Sequence, residues 1–373
     1  MTKIEWTEKT WNPIVGCSVV SPGCTNCYAM KMAYRLEAMA PSDVSTGNPH
    51  MLHYVGTTQE SRGGPVWTGR IKQAPLNIQR QPLERKKPTT WFVNSMGDLF
   101  HEFADEDWIA SVFLVMAQCP QHTFQVLTKR SERMRFLLND SEFVDGLRSS
   151  LQIIDDPDQQ PLEWPLPNVW IGVSAENQEQ ADLRIPDLLA TPAAVRFVSA
   201  EPLLGPVDFS RFTPRDRFYN AVCEHCGYVG STEYWFESRN VDDADVVCSR
   251  CNKISIAEEV GQLDWIIVGG ESGPGARPMH PDWARSIRDQ CQAAQVPFFF
   301  KQWGEFVSGY LDGDEFIVDE DTHGPNVRWN GIVQCRRNDD GGHFGRVGKT
   351  RAGRTLDGRE WMQMPNEMEL AHG

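Results

Sequence analysis

Cys17, Cys24 and Cys27 lie within eleven residues, with six residues and then two between them. A thiolate is a soft ligand that suits iron–sulfur clusters, zinc or copper(I). Three such ligands, with no fourth Cys or His in the loop, point to a metal centre with one open position. Structural sites close their shell, whereas sites that do chemistry keep a place free. Gly16 and Pro22-Gly23 let the loop wrap tightly around a compact object. Ligand softness and spacing put an iron–sulfur cluster first, ahead of a zinc site or ordinary reduced thiols.

A second set of thiols has a different pattern. Cys223 and Cys226 form one CxxC knuckle and Cys248 and Cys251 another, with 21 residues between them. Four thiolates at this spacing close a tetrahedral shell, so a structural zinc ribbon is expected over residues 213–262. A second electron-transfer cluster is the competing reading, and His225 is read as a surface residue. The ribbon is expected to contact a macromolecular substrate or a partner protein, or else to serve as a small stabilising module. Cys119, Cys291 and Cys335 stand alone; Cys119 and Cys291 fall in helical patterns and read as core thiols.

Elements must position these groups. Short apolar, β-branched or aromatic runs recur over residues 11–16, 90–98, 123–129, 169–176, 195–201, 264–271 and 296–301. Each ends in small polar or charged residues, and helical patterns follow, notably at 28–40, 105–117, 131–138 (with Ser131 as the capping residue) and from Pro281-Asp282. Strands buried on both faces and alternating with helices predict a parallel α/β sheet, open or rolled into a barrel. Residues 41–80 are polar and rich in Pro and Gly, and read as a long loop or lid. The predicted division is 1–212 for the first part of a (β/α) barrel, 213–262 for the ribbon, 263–305 for the rest of the barrel and 306–373 for a Gly/Arg-rich tail or cap.

In parallel barrels the active site lies at the carboxyl ends of the strands. Those ends here carry Ser95 and Asp98, then Ser174, Glu176 and Asn177, then Glu201, Glu271 and Lys301. Each of the carboxylates and lysines can also be a structural ion pair. Gly348-Lys349-Thr350 lacks the first glycine of a P-loop, since position 343 is His343, and that reading is rejected. The run from Gly345 to Arg359 fits a phosphate-binding or barrel-closing loop, or a segment that simply packs through Trp361.

The cysteine loop resembles the cluster loop of radical S-adenosylmethionine (SAM) enzymes, in which three cysteines hold a [4Fe–4S] cluster and SAM chelates the fourth iron. The usual spacing there is three residues and then two. Here it is six and two, and the aromatic Tyr28 follows the last cysteine. A closer resemblance, across almost the whole chain, is to the phage-associated three-cysteine-motif family, which is radical-SAM-like. It is carried by Ile4-Glu5-Trp6-Thr7, Trp11-Asn12-Pro13, Trp67-Thr68-Gly69, Val268-Gly269-Gly270-Glu271-Ser272-Gly273 and the 352–359 segment Ala352-Gly353-Arg354 to Leu356-Asp357-Gly358-Arg359. The loop is also distantly similar to that of radical SAM photoproduct lyases in ending on Cys-Tyr.

The resemblance implies a partial (β/α) barrel of radical SAM type, into which the zinc ribbon read from the CxxC spacing is inserted, and two cofactors beside that zinc: a [4Fe–4S] cluster on Cys17, Cys24 and Cys27, and SAM. It further implies reductive cleavage of SAM to a 5′-deoxyadenosyl radical that takes a hydrogen from the substrate, with an external electron donor. Ser95, Asp98, Ser174, Glu176 and Asn177 become the candidates for holding SAM. Glu201, Glu271 and Lys301 become the candidates for substrate contact. A nucleic acid or nucleotide, modified or repaired, is the leading substrate class. A peptide or partner protein, or a non-catalytic iron–sulfur and zinc adaptor for nucleic acid, are the alternatives.

Composition bounds these readings. A chain of 373 residues with 40% hydrophobic and 23% charged content is ordinary for a globular protein of one large or two smaller domains. No apolar run approaches the ~20 residues that span a bilayer, and no signal pattern opens the chain. A cytoplasmic protein with reduced thiols is expected. The net charge of −15 argues against a generic polyanion binder. Even so, basic residues cluster at Arg85-Lys86-Lys87, around Lys129-Arg130 with Arg133 and Arg135, and from Arg346 to Arg359.

Overall fold

A computed structural model of the chain describes residues 4–40, 49–152, 162–213, 220–223, 229–231, 236–237, 245–247, 254–256, 262–312, 315–323, 335–337 and 343–365. The chain divides into two compact units: residues 1–173 with 191–196, and residues 174–190 with 197–373.

The first unit is built on four parallel strands, adjacent in the order of the sequence: β1 (Lys9–Trp11), β2 (Thr90–Val93), β3 (Thr123–Thr128) and β4 (Val169–Ser174, whose last residue falls in the second unit). Their register sets Lys9 beside Trp91, Trp91 beside Phe124 and Phe124 beside Val169. β-Branched and aromatic side chains fill these strands because they pack well on a pleated, doubly covered surface. The longer helices between the strands are α1 (Tyr28–Ala38), α2 (Glu106–Ala117), α3 (Ser131–Asn139) and α4 (Ser141–Gln152). Helix α2 starts where Asp105 accepts a hydrogen bond from the Asp107 N–H at 3.0 Å, and its first turn carries two acids that complement the helix dipole.

The second unit carries three more parallel strands: β5 (Val195–Ala200, whose first two residues belong to the first unit), β6 (Trp265–Gly269) and β7 (Phe298–Gln302), with β6 between the other two. Helices α5 (Gln178–Leu189) and α6 (Pro281–Ala293) alternate with them, with Pro281 in the first turn of α6 as expected. Both units are thus of the parallel α/β class that the strand and helix pattern predicts.

Several boundaries differ from the sequence reading. The first parallel strand is Lys9–Trp11, and Ile14–Val15 instead pairs antiparallel with Lys72–Gln73. The stretch read as a loop or lid contains a hairpin, Thr58–Ser61 with Gly64–Trp67. Its outward strand is almost wholly exposed and polar, so it carries no apolar alternation to detect. Ser131 is the first residue of α3 and is buried; the cap position is Arg130, which makes no side-chain capping bond. Cys119 lies just beyond the end of α2. Cys119 and Cys291 are both fully buried, as core thiols should be.

Residues beyond 305 are also more regular than a polar tail. Phe306–Asp312 forms an antiparallel sheet with Glu315–Val318 on one side and His343–Arg346 on the other, and Cys335–Arg337 pairs with the latter. The end of the described chain then covers the edge of β7. Gln363 exchanges hydrogen bonds with Phe298, the Phe300 N–H donates to the Trp361 carbonyl at 2.8 Å, and Phe299 bridges to Met362. A covered edge cannot recruit a foreign strand.

Within 213–262, Asn220–Val222 pairs with Val229–Ser231, and Asp245–Val247 pairs with both Phe236–Glu237 and Ile254–Ile256. In sequence, each CxxC pair falls between two paired strands. Cys223 is buried; Cys226, Cys248 and Cys251 lie outside the described residues. No described helix is long and apolar enough to cross a membrane.

Candidate metal centre at the cysteine loop

The cysteine loop leaves the carboxyl end of β1 and is fixed by backbone contacts on two sides. The Gly16 N–H donates to the Met96 carbonyl at 3.1 Å and the Gly69 N–H to the Cys17 carbonyl at 3.2 Å. Gly16 has φ +92°, and a Cβ there would sit 2.1 Å from the Arg70 carbonyl oxygen. Gly97, bridged to Gly16, is also closely packed: its Cβ would meet the Gly16 oxygen at 2.9 Å. Two asparagines brace the same junction. Asn12 Oδ1 accepts from Ser95 Oγ at 3.1 Å and from the Met96 N–H at 2.9 Å, while Asn94, at φ +57°, accepts from the Ile14 N–H at 3.3 Å.

Behind the loop lies an apolar cluster of Val15, Ala29, Met30, Ala33, Tyr54, Trp67 and Met96, with Cys17 and Cys27 packed against it. The buried face of α1 and the hairpin residue Trp67 are therefore the wall on which two of the thiols rest. On the outside, Val19, Val20 and Tyr28 are about half exposed despite their apolar character. The Tyr28 hydroxyl donates to the Ser95 carbonyl at 3.0 Å.

The three thiols are free and act on one another. Burial pushes the Cys17 thiol up to about 12, against the pull of the Arg130 charge, and Asp98, Cys27 and Cys24 raise it further. Burial also raises Cys27; the Met30 and Ala29 amides at the start of α1 and the charge of Lys129 pull it down, while Cys24 pushes it up. Ionised together, three neighbouring thiols would repel one another, and a cationic metal centre removes that repulsion.

Among the described residues, no group of three or more His, Cys, Asp or Glu side chains is arranged to hold a single metal ion. A single ion needs ligands that converge on one point. A cubane takes one thiolate per iron, so its ligands stand apart around the cluster. Three thiols in one loop are, by their softness, a donor set that suits an iron–sulfur cluster.

Arg130 is a residue that the sequence showed only as part of a basic cluster. Its guanidinium is 9% exposed and Nη1 donates to the Cys17 sulfur at 3.3 Å. It is held from four directions: Nη1 to Asp98 Oδ2 at 3.1 Å, Nε to Glu102 Oε2 at 3.2 Å, and Nη2 to Ser18 Oγ at 2.6 Å and to the Ser18 carbonyl at 3.3 Å. Asp98 also accepts from Thr128 Oγ1 at 2.6 Å and from the Lys129 and Phe100 amides at 3.0 Å each. With four internal donors, Asp98 is the anchor of Arg130. Burial works against the Glu102 carboxylate, yet its own amide, Ser18 and Arg130 hold it down at about 2. His101 Nε2 lies 3.1 Å from Ser18 Oγ, and burial lowers its pKa. One signal was available for Arg130: it follows the strand run at 123–129 directly, at a carboxyl end.

The charged candidates in the second unit are held in ion pairs. Glu176 is fully buried and bonded to Arg184 at 3.0 Å, and Arg184 Nη1 also donates to the Ser174 carbonyl at 2.8 Å. Asn177 caps α5 by accepting from the Gln180 N–H at 3.0 Å. Lys301 and Glu201 form an ion pair at 3.0 Å, with Ser199 Oγ donating to Glu201 at 3.2 Å. Gly269 leaves the room for Glu201, since a Cβ there would lie 2.3 Å from Glu201 Oε1. Glu271 accepts from Arg277 through Nη2 at 2.6 Å, Nε at 2.8 Å and the backbone N–H at 2.8 Å. In the 345–359 run, Asp357 binds Arg285 and Arg288; just beyond it, Trp361 packs edge-on against Phe298 with ring centres 5.9 Å apart.

A family model described as "Protein of unknown function (DUF5131)" matches residues 1–365, and the chain belongs to that family. No curated protein and no solved structure matches it.

Proposed function

We propose that this member of the DUF5131 family is an enzyme of radical SAM type, in which Cys17, Cys24 and Cys27 each bind one iron of a [4Fe–4S] cluster and the substrate is a nucleic acid or nucleotide. The observation that carries the reading is one loop of three coupled thiols, two of them pushed up by burial, with a held guanidinium against the first. Such a cluster together with SAM would supply one-electron cleavage of the sulfonium and a carbon-centred radical. The rest is the work of the protein's own groups. Arg130 donates to the Cys17 sulfur and favours its anionic form, while Asp98, Glu102 and Ser18 fix the guanidinium so that it does not reorganise. Met30, Trp67 and Met96 keep water from the inner side of the thiols. Ser95, whose hydroxyl donates to Asn12 Oδ1 at 3.1 Å, lies on the junction that carries the loop and is this unit's candidate for contact with SAM. A structural zinc on Cys223, Cys226, Cys248 and Cys251 completes the reading, and its spacing in the sequence supports it.

The test is anaerobic reconstitution followed by counts of iron, sulfide and zinc, then dithionite and SAM. About four irons and one zinc per chain are expected, with 5′-deoxyadenosine formed by the wild type and lost in Cys24→Ala. Zinc alone, with no SAM cleavage after full reconstitution, would sink the reading and leave a zinc-stabilised binding protein.

A further inference from the structure

At the amino ends of β1 and β2, opposite to the cysteine loop, the first unit has a cavity of about 290 Å³ lined by Lys9, Glu84, Arg85, Lys86, Lys87 and Trp91 among others. Four cations face one carboxylate, in a chain whose net charge is −15. Lys9 is held in place: it is the register partner of Trp91, and its ammonium lies 5.6 Å from the centre of that ring. Trp91 is only 1% exposed, so its ring is a floor for Lys9 and not a surface for stacking. Lys86 and Lys87 are exposed and meet no acceptor among the described residues. Free, uncompensated cations on an acidic protein cost repulsion only toward other cations, and they concentrate anions at one place on its surface.

The chemistry narrows the anion. No exposed aromatic or apolar side chain lines the cavity, so it offers nothing to a base face and nothing to insert into a lipid surface. Ammonium groups side by side on one open rim match a row of phosphodiesters. We propose that Lys9, Lys86 and Lys87 form a docking site for the phosphodiester backbone of a nucleic acid, read through charge and not through sequence. This deepens the substrate class given above but does not need the cluster, because binding is measured without iron.

The experiment is fluorescence anisotropy with labelled single-stranded and duplex oligonucleotides over a salt series, using the full chain and its Lys86→Ala/Lys87→Ala variant. Each phosphate contact contributes about 0.7 to the slope of log K against log salt on a single strand and about 0.9 on a duplex. The double variant is therefore expected to lose about 1.4 of slope on a single strand or about 1.8 on a duplex, which also identifies the form bound. Adding Lys9→Ala should flatten the slope by a further contact. Unchanged far-UV circular dichroism shows that the variants are folded. An equal slope in wild type and double variant overturns the proposal. So does absence of wild-type binding at low salt, or lysine-dependent binding to phosphatidylserine vesicles without binding to oligonucleotides.

Discussion

The guanidinium of Arg130 donates to the sulfur of Cys17 at 3.3 Å, across 113 residues of sequence. A charged donor at a ligand sulfur stabilises the more reduced, more negative state of a cluster. Arg130→Met is expected to lower the midpoint potential of the reconstituted centre, read by redox titration with electron paramagnetic resonance. Arg130→Lys should fall between, because it keeps the charge but loses the fork that Asp98 and Glu102 hold. Equal potentials in all three proteins would remove Arg130 from the account.

Gly16→Ala tests the loop's backbone. The added carbon meets a carbonyl oxygen at 2.1 Å, and the residue must keep a left-handed φ of +92°. A loss of about 1–3 kcal/mol is expected in urea unfolding, together with reduced iron uptake per folded chain. Full stability and full iron would show that the loop can take another path.

Glu176 separates a structural role from a ligand-binding one. Removing one partner of a buried ion pair costs about 3–5 kcal/mol, so Glu176→Gln should unfold at clearly lower urea than the wild type. A variant of near-normal stability that binds SAM poorly would assign the carboxylate to the cofactor instead.

His323 sets a pH limit on the second unit. Burial lowers its pKa from 6.5 to about 4, and its Nε2 accepts from the Ser308 N–H at 2.9 Å. The folded state therefore binds this proton less readily than the unfolded chain. Its contribution is whole above about 6.5 and is lost as pH falls toward 4, by about 3 kcal/mol across that window. The melting temperature should drop along this limb, and His323→Gln should flatten it. A parallel drop in both proteins would place the acid sensitivity elsewhere.

Much of the frame was legible because it is written in local pattern. All seven strand runs hold a parallel strand or its end, and the four named helices start within a residue or so of expectation. Asp105 is legible for the same reason: a cap acts on amides two residues away. The network of Ser18, Asp98, Glu102 and Arg130 is not, although Asp98 was visible as a polar strand end, since what joins them is a fold that brings residues 28 to 112 positions apart into one hydrogen-bonded group. The pairing of Lys301 with Glu201 is hidden likewise: each was visible as a polar strand end, but their 3.0 Å separation depends on β5, β6 and β7 lying side by side with Gly269 between.

Residues 361–363, which close the edge of β7, are made long after the strand they protect. At roughly 5–20 residues per second, a ribosome takes about 3–12 s to go from Gln302 to Gln363. Throughout that interval Phe298, Phe299 and Phe300 belong to an unfinished edge on a nascent chain. The last parallel strand thus keeps an open edge until the residues that pair with it have been made.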